Sequence, residues 1–397
     1  MKFFFLNLGK QPITNNFLAS IKKNELKKEF FYNLKVSFDD KNNLVSLSNF
    51  VQPSKMFNEK YAHRASMSQT MVASFKKLAS NLIKKYKPKK ILEIGSNDGV
   101  FIRNFNHKKV IAVEPCSNLA RLTNKMGYRT YPYFWNLKLS KEIEKKYGKV
   151  DLIFSANTIS HIPNLNEAFK AIKNILKKDG VFIFEDPYIL SVIKNVSYDQ
   201  FYDEHAHVFS LMAVSNLIKE YDLRVINLEK LNTHGGSLRY YISHNNSHFK
   251  ENKIVKKNLK NEFKYKLNKF STYKQFGLKV QKSKKDLIKL LKNLKKKEKS
   301  VVSYGATYKS ATVFNFCGIN NQLIDYVIDT TKNKQNKYTP GSHLKIYSPN
   351  TQPLKKIDYY FLGAWNFKKE IIKKEKNFVK NGGKFISHVP KVKIFTK

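Results

Sequence analysis

The feature of this sequence that most limits its possible fold is a regular alternation of apolar strands and amphipathic helices across residues 89–244. The strand segments are KKILEIGS, KKVIAVEP, VDLIFSAN, GVFIFEDP, LRVINLEK and SLRYYISH. A helical pattern over residues 165–176 separates the third from the fourth, and we expect Gly180 to end that helix. This alternation predicts a Rossmann-like parallel sheet with helices on both faces and a ligand beyond the carboxyl ends of its strands.

The flanking segments predict two further units and an overall α/β fold. Residues 1–66 alternate short apolar runs with polar turns, which predicts a small N-terminal β-rich module. Residues 67–250 then form the Rossmann-like domain. Residues 251–397 begin with Lys-rich amphipathic helices and continue with strands such as VVSYGAT and IDYYFLGAW, so they predict a helical bridge followed by a second, C-terminal α/β domain.

Composition narrows the function classes. The net charge of +44 favours anionic partners. However, the sequence has no signature of an RNA-binding module, and its abundant lysines are typical of a solvated surface. We therefore predict no nucleic-acid partner. Two cysteines are too few for a disulfide framework or a cysteine zinc cluster. Since no run of about 18 apolar residues is present, we also predict no membrane span and a cytoplasmic location.

The segment ILEIGSNDGVFI predicts a cofactor site. Its glycines allow close backbone approach at the start of a helix, a feature that NAD enzymes share. The acidic Glu93 and Asp98 would repel a pyrophosphate but suit an ammonium group, and Glu114, at the end of the next strand, suits two ribose hydroxyls. The pattern therefore favours S-adenosyl-L-methionine (SAM) over NAD. The predicted cofactor residues are Glu93, Gly95, Asn97, Asp98, Gly99, Glu114, Pro115 and Asn157.

Several blocks in a fixed order extend this interpretation over nearly the whole chain. They are LGKQPITNNFL (9–18), YAHRASMSQTM (61–71), ILEIGSNDG (91–99), VEP (113–115), ANTISHIPNL (156–165), YDQFYDEH (198–205), HGGSLR (234–239), YGATYKSAT (304–312), CGI (317–319), KYTPG (337–341) and AWNF (364–367). With these blocks the chain resembles the C-methyltransferases that act on nucleotide-linked 4-keto-6-deoxy sugars. The resemblance implies a class I methyltransferase domain and a C-terminal domain that helps to bind the sugar nucleotide.

The catalytic candidates lie in and around YDQFYDEH. Methylating a carbon beside a ketone requires removal of a proton and stabilisation of an enolate, for which a histidine base and a tyrosine hydroxyl are suitable. The residues alone favour a satisfied loop histidine at position 205, and they allow Tyr61 equally well as a packed aromatic. The resemblance implies that His205 is the general base. It also implies that Tyr202, Glu204, Tyr61 and His161 line the same cavity.

Two further segments contain the predicted substrate contacts. In HGGSLR, Gly235 follows His234 and allows close backbone approach, while Arg239 suits an anionic oxygen; a hairpin turn is an equally good interpretation. In YGATYK, which begins at Tyr304, the backbone N–H groups of a strand-to-helix turn and Lys309 are expected to hold the diphosphate.

The chain departs from the family at several positions. Relatives commonly carry an N-terminal zinc site made of two cysteine pairs, whereas here no cysteine precedes LGKQP and polar residues around VSFDDKNN stand in place of the second pair. We therefore expect no zinc and no other metal. Asp203 stands where a histidine is usual, and Ser310 and Ala311 replace the usual Gly-Asn, which leaves the identity of the sugar open.

Together these observations predict a SAM-dependent C-methyltransferase of a nucleotide-linked 4-keto-6-deoxy sugar, acting at C3 in the biosynthesis of deoxysugars for glycosides or surface polysaccharides. Two alternatives stay open: an RNA methyltransferase that uses the basic surface, and a non-catalytic relative that binds the cofactor or a sugar. The oligomeric state, monomer or homodimer, is also left open.

Overall fold

A computed structural model describes residues 1–353 and 356–396. The strands are β1 (Lys2–Pro12), β2 (Phe31–Asp39), β3 (Leu44–Leu47), β4 (Ile91–Ile94), β5 (Val110–Val113), β6 (Arg129–Tyr131), β7 (Val150–Ala156), β8 (Leu176–Pro187), β9 (His207–Val208), β10 (Leu223–Leu231), β11 (Ser237–His244), β12 (Val301–Tyr304), β13 (Val327–Ile328), β14 (Ile346–Tyr347), β15 (Tyr359–Leu362), β16 (Lys384–Ser387) and β17 (Lys393–Phe395). The α-helices are α1 (Lys23–Leu26), α2 (Pro53–Met56), α3 (Gln69–Tyr86), α4 (Ser117–Lys125), α5 (Leu137–Tyr147), α6 (Leu165–Ile175), α7 (Ile189–Asn195), α8 (Leu211–Lys219), α9 (Lys253–Lys264), α10 (Phe270–Lys296), α11 (Tyr308–Cys317), α12 (Lys368–Lys374) and α13 (Lys376–Lys380).

The central sheet has seven strands in the order β10-β11-β8-β7-β4-β5-β6. Strand β4 pairs in parallel with β5 on one side and β7 on the other, and only β11 runs antiparallel to its neighbours. The strand order reverses direction at β4, which is where an open α/β sheet leaves a crevice for a ligand. The predicted Rossmann-like sheet is thus confirmed, and its crevice faces the turn after β4.

The predicted helix end at Gly180 is wrong. Helix α6 ends at Ile175, and β8 begins at Leu176, whose backbone is already extended. Gly180 lies inside β8, where the β7–β8 pairing shifts from Val150↔Leu176 to Leu152↔Val181. A side chain at Gly180 would collide with Leu176, so the glycine serves close packing in a strand irregularity and not a left-handed helix cap.

The N-terminal residues form an antiparallel sheet in the order β1-β2-β3-β9. Its fourth strand comes from the central part of the chain, since Val45 pairs with Val208 and Ser46 with His207. The sheet is therefore joined by hydrogen bonds to the segment that follows the predicted catalytic block.

Helices α9 and α10 form the predicted bridge between the two α/β units. Helix α10 also packs on the N-terminal sheet, where the Tyr273 ring stacks on Phe38 with centroids 4.3 Å apart. Gly277 allows close contact, because a Cβ at this position would overlap the Phe5 carbonyl oxygen of β1. The bridge therefore holds the N-terminal sheet as well as linking the α/β units.

The C-terminal sheet has the order β14-β13-β12-β15-β16-β17 and is parallel except for β17, which confirms the second α/β unit. Helix α11 follows β12 directly and packs against residues 198–200 of the central unit. None of the helices in the described part of the chain has the length and apolar character needed to span a bilayer.

Candidate active site

The loop after β4 is shaped by residues with left-handed backbone. Gly95, Asn97 and Gly99 have φ of 76°, 49° and 81°, which turns the chain sharply before residue 100. The Gly95 N–H donates to the Val113 carbonyl at 2.8 Å, and the Asn97 N–H donates to Glu114 Oε2 at 2.7 Å. The ends of β4 and β5 are thereby held together around one crevice, where Pro115 follows β5 and is half-buried.

Three buried carboxylates surround this crevice. Glu93, Asp98 and Glu114 are each at most 5% exposed, and no Lys or Arg of the described chain lies within ion-pair distance of them. Glu93 Oε2 has no hydrogen-bond partner among the residues that the structure describes. Burial, reinforced by Glu114 and Asp98, raises the pKa of Glu93 well above its usual value. A cationic ligand would stabilise the charged form of these buried acidic groups.

A segment before α3 lies over the same loop. The Ala65 N–H donates to Asn97 Oδ1 at 2.9 Å, while Ser66 donates to the Asp98 carboxylate through its N–H and its hydroxyl. On the opposite side, β7 ends beside the crevice at Asn157, whose φ is 50° and whose N–H donates to the Glu185 carbonyl. All the predicted cofactor residues thus lie on or next to the ends of β4, β5 and β7.

The imidazole of His205 is oriented by its own loop. It is 3% exposed, and its Nδ1 donates to the Gln200 carbonyl at 2.7 Å, an arrangement that leaves Nε2 with a free lone pair. Burial and the neighbouring His161 lower the pKa of His205 well below its usual value. The ring therefore stays neutral at physiological pH and can accept a proton.

His161 lies beside His205, with ring centroids 5.4 Å apart. It ends a short turn after β7 that is fixed by Asp186, whose carboxylate accepts from the Ser160 hydroxyl at 2.5 Å. The His161 ring stacks on Phe57, and its Nε2 is buried without a hydrogen-bond partner in the described part of the chain. Burial lowers the pKa of His161 to about 3, so this second imidazole is neutral as well.

The carboxyl group of Glu204 is held by residues from the N-terminal part of the chain. Asn15 Nδ2 donates to its Oε1 at 2.8 Å, and the Tyr61 hydroxyl donates to its Oε2 at 3.4 Å. Next to it, Asp203 accepts from the Thr14 hydroxyl at 2.7 Å. Burial, followed by the adjacent Asp203, raises the pKa of Glu204.

The C-terminal unit contributes a phenol to the same cluster. The ring of Tyr308, the first residue of α11, stacks on Tyr202 with centroids 4.1 Å apart and nearly parallel planes. Tyr202 in turn lies 4.3 Å from the His205 ring. Lys309 Nζ donates to the Tyr308 hydroxyl, which also lies 3.5 Å from His234 Nδ1. Burial lowers the pKa of Lys309 to about 8, although Asp199 partly opposes this effect.

Arg239, a predicted substrate contact, forms ion pairs with two carboxylates of the chain itself. Its guanidinium pairs with Glu185 and Glu229 at 2.6 Å each, and the side chain is 6% exposed. Both carboxylates lie directly across from Arg239 on the neighbouring strands. The predicted hairpin is present, since β10 pairs antiparallel with β11, and a contact of Arg239 with substrate stays a prediction.

Several donors at the start of α11, where the phosphate site was predicted, have partners within the chain, and the site stays a prediction. The Ala306 N–H donates to Asp329 Oδ2, so a carboxylate lies where the phosphate was expected. Thr307 and Ser310 form a capping box, in which each side chain accepts from the backbone N–H of the other residue. The Tyr304 hydroxyl donates to Glu375 at 2.9 Å, within the C-terminal unit. Of the two predicted contacts in this segment, Lys309 reaches the cluster around His205 through Tyr308, and Tyr304 does not.

The glycine at position 235 is explained by its close contact with the C-terminal unit. Its φ is 88°, and a Cβ there would overlap the Trp365 ring of the C-terminal unit. Trp365 Nε1 donates to Asp199 Oδ2 at 2.5 Å, beside Gln200.

Sequence reasoning missed Asn15, Gln200 and Tyr308. Each lies inside a block that resembles the family, but only the fold shows which side chain each one contacts.

Two family models match the chain. The model described as a methyltransferase domain matches residues 61–228, and the one described as the C-methyltransferase C-terminal domain matches residues 232–390. The C-methyltransferase NovU from Streptomyces niveus is 28% identical over 396 residues, covering 98% of this chain and 94% of NovU. These matches show that the chain is a SAM-dependent methyltransferase. The carboxylate-lined crevice of this methyltransferase fits its cofactor SAM, which carries an ammonium and a sulfonium charge.

Solved structures are similar over part of the enzyme. A SAM-dependent methyltransferase from Clostridium acetobutylicum is 16% identical, with a TM-score of 0.34, over 44% of this chain and 92% of its own. The PH0226 protein from Pyrococcus horikoshii is 15% identical, with a TM-score of 0.37, over 49% of this chain and 100% of its own. The assignment depends on the two models and on NovU. In the described part of the chain, no three His, Cys, Asp or Glu side chains are arranged to hold a metal.

Proposed function

We propose that this methyltransferase adds a methyl group to C3 of a 4-keto-6-deoxy sugar carried on a nucleotide, and that His205 acts as the general base. The observation that supports this proposal best is the neutral imidazole of His205, oriented by Gln200 and lying 4.3 Å from the Tyr202 ring, centroid to centroid. The family supports transfer to carbon, since NovU is named a C-methyltransferase. The keto-sugar acceptor depends on the sequence blocks shared with enzymes of that kind.

In this proposal each residue of the site has a separate role in enolate formation. Nε2 of His205 takes the proton from the carbon next to the ketone. The electron pair of that C–H bond forms a carbon–carbon double bond, and the π pair of the ketone moves onto its oxygen. The hydroxyl of Tyr202 donates to this oxygen as its charge develops. Glu204 and His161 orient the sugar from either side, and Tyr61 holds Glu204. Lys309 and His234 act as positioning residues through the hydroxyl of Tyr308.

The crevice after β4 would hold the cofactor. Glu93 and Asp98 lie near its cationic groups, and Glu114 accepts from the ribose hydroxyls. The backbone at Gly95, Asn97 and Gly99 approaches it closely, with Pro115 and Asn157 at the edges. When bound, SAM supplies the electrophilic methyl group. The enclosed histidines and tyrosines exclude water from the enolate until that group is delivered.

The direct test is to incubate the enzyme with nucleoside-diphosphate 4-keto-6-deoxy hexoses in heavy water and to follow deuterium and methyl incorporation by mass spectrometry. We expect deuterium to enter beside the ketone when SAM is omitted, and a single methyl group to enter at the same carbon when SAM is added. Methylation of oxygen or nitrogen, or no turnover over the whole panel, would contradict the proposal.

Replacing Glu114 with glutamine is expected to weaken SAM binding about 10- to 150-fold, because a lost charge-assisted hydrogen bond costs about 1.5–3 kcal/mol. Glutamine keeps one oxygen for the loop N–H groups that Glu114 now binds. Calorimetric titration with SAM measures the effect, and Glu167→Gln on α6 is the matched control. Equal affinity in the wild type and the Glu114 variant would exclude the ribose contact.

The pH dependence of kcat/KM should show a low acid limb and an alkaline limb near pH 8. A histidine with the ordinary pKa of about 6.5 is roughly three-quarters protonated at pH 6 and inactive as a base. Because burial lowers the pKa of His205, its neutral form persists below pH 6 and activity should stay constant from pH 7 to 6. Above about pH 8 Lys309 loses its proton and no longer supports Tyr308.

Lys309→Arg separates these contributions, since arginine stays charged across this range. The variant is expected to lose the limb near pH 8 and to keep the acid profile. An unchanged alkaline limb would assign it to Glu204, whose pKa is also raised, and would contradict the role given to Lys309.

A further inference from the structure

A basic cavity lies outside the carboxylate crevice and the histidine cluster. Its volume is about 450 Å³, within the range of small-ligand sites, and it opens between the segment at residues 60–64 and the turn at residues 332–337. Its lining is Lys60, Tyr61, Ala62, Arg64, Asn118, Lys332, Asn333, Gln335 and Lys337. The methyltransferase domain supplies one wall and the C-terminal domain the other.

The lining has four cations and no carboxylate. None of these cations forms an ion pair with an acidic side chain within the residues that the structure describes, although other lysines of the chain do so. The remaining polar groups are amides and a phenol, which donate hydrogen bonds without adding charge. A lining of this kind is complementary to a ligand with more than one negative charge, and Arg64 can bind a phosphate with two parallel N–H groups.

The turn that carries two of the cations is anchored. Lys334 Nζ donates to the Ala306 carbonyl at 2.7 Å and lies 3.8 Å from Asp329, while Gln335 Nε2 donates to the Asp329 carbonyl at 2.9 Å. Lys332 and Lys337 therefore start from a backbone held against β12 and β13. An anchored turn lowers the entropic cost of holding an anion between the walls.

The position of the cavity connects it to the proposed chemistry. Tyr61 lines it and also donates through its hydroxyl to Glu204 of the catalytic cluster. Asn118, which donates to the Tyr61 carbonyl, belongs to helix α4 just after Glu114. A ligand in the cavity would thus border both the acceptor site and the cofactor crevice.

We propose that this cavity binds the diphosphate of the nucleotide-linked substrate, with Arg64, Lys332 and Lys337 as its main contacts. The inference rests on the proposed function for the sugar, but it names a site different from the turn at the start of α11. The negative charges of the diphosphate are complementary in sign to the cations of the lining, and its size fits the volume of the cavity.

The test measures binding of UDP and dTDP to the full-length enzyme by calorimetry, with uridine and thymidine as uncharged probes. We expect both diphosphates to bind and both nucleosides to bind at least about tenfold more weakly. The double variant Lys332→Gln/Lys337→Gln should lose about tenfold or more in diphosphate affinity. The charge-matched control Lys256→Gln/Lys257→Gln, on exposed positions of α9, should bind as the wild type does.

Equal weakening in both double variants, or unchanged affinity in Lys332→Gln/Lys337→Gln, would overturn the assignment. Tighter binding of a single-stranded RNA than of UDP, lost in the same variant, would overturn it in favour of a nucleic-acid site. Failure of the proposed function looks different, because diphosphates would then bind in the cavity while no keto sugar is methylated. Conversely, the enzyme could methylate a keto sugar while Lys332→Gln/Lys337→Gln binds diphosphates as tightly as the wild type. That result would support the proposed function and exclude this cavity as the diphosphate site.

Discussion

Replacing His205 with glutamine is expected to lower methyl transfer by roughly 10²- to 10⁴-fold, the usual contribution of a positioned general base. Glutamine can still donate to the Gln200 carbonyl, which His205 Nδ1 now does, but it offers no group that accepts a proton near neutral pH. Deuterium exchange into the keto sugar in the absence of SAM should fall by a similar factor. Affinity for SAM should stay the same, because His205 lies outside the crevice after β4.

A matched control is available two residues along the chain. His207 is also buried, but its Nδ1 contacts the Ser46 hydroxyl at 2.8 Å and its Nε2 the Pro163 carbonyl at 3.3 Å, so neither ring nitrogen is free. We expect His207→Gln to change thermal stability but to keep exchange within a few-fold of the wild type. Undiminished exchange in His205→Gln would exclude His205 as the base.

The second large effect is expected from Tyr202→Phe. Loss of one donor to a developing oxyanion typically lowers kcat by about 10²- to 10³-fold. The phenylalanine ring preserves the stack on Tyr308, so the change removes the hydroxyl and little else. Steady-state kinetics should show the loss in kcat with KM for the sugar nucleotide nearly constant.

Tyr308→Phe provides the comparison, because the two rings stack and differ in the partners of their hydroxyls. We expect a smaller loss, since Tyr308 is assigned to positioning. If Tyr308→Phe lowered kcat more than Tyr202→Phe, the donor to the enolate would be the phenol of the C-terminal unit, and the assignment of Tyr202 would be wrong.

The periodic parts of the fold could be predicted from the sequence, whereas features set by contacts across the chain could not. Strands β4, β5 and β7 and the glycine loop at Gly95 follow from local patterns that survive in the tertiary structure. The helix end at Gly180 was wrong because Leu176 packing overrides the ordinary preference of glycine for caps. Arg239 is satisfied by its cross-strand neighbours, and such partners become visible only when the register of the strands is known.

The predicted catalytic residues show the same difference between local features and contacts across the chain. His205, Tyr202 and Glu204 lie in one short block, so their proximity could be predicted. The contacts of Asn15 with Glu204 and of Tyr308 with Tyr202 join segments that are far apart in sequence, and they depend on how the N-terminal and C-terminal units dock. No periodicity encodes these contacts. For that reason Asn15 and Tyr308 were not among the predicted site residues.

Because Asn15, His205 and Tyr308 come from three different parts of the chain, the site exists only when all three are assembled. Local opening generally requires less free energy than global unfolding. In a denaturant titration, turnover should therefore disappear before the circular dichroism of the central sheet changes. An activity assay would then report on interdomain docking, and stabilising the central domain alone would not extend the working lifetime of the catalyst.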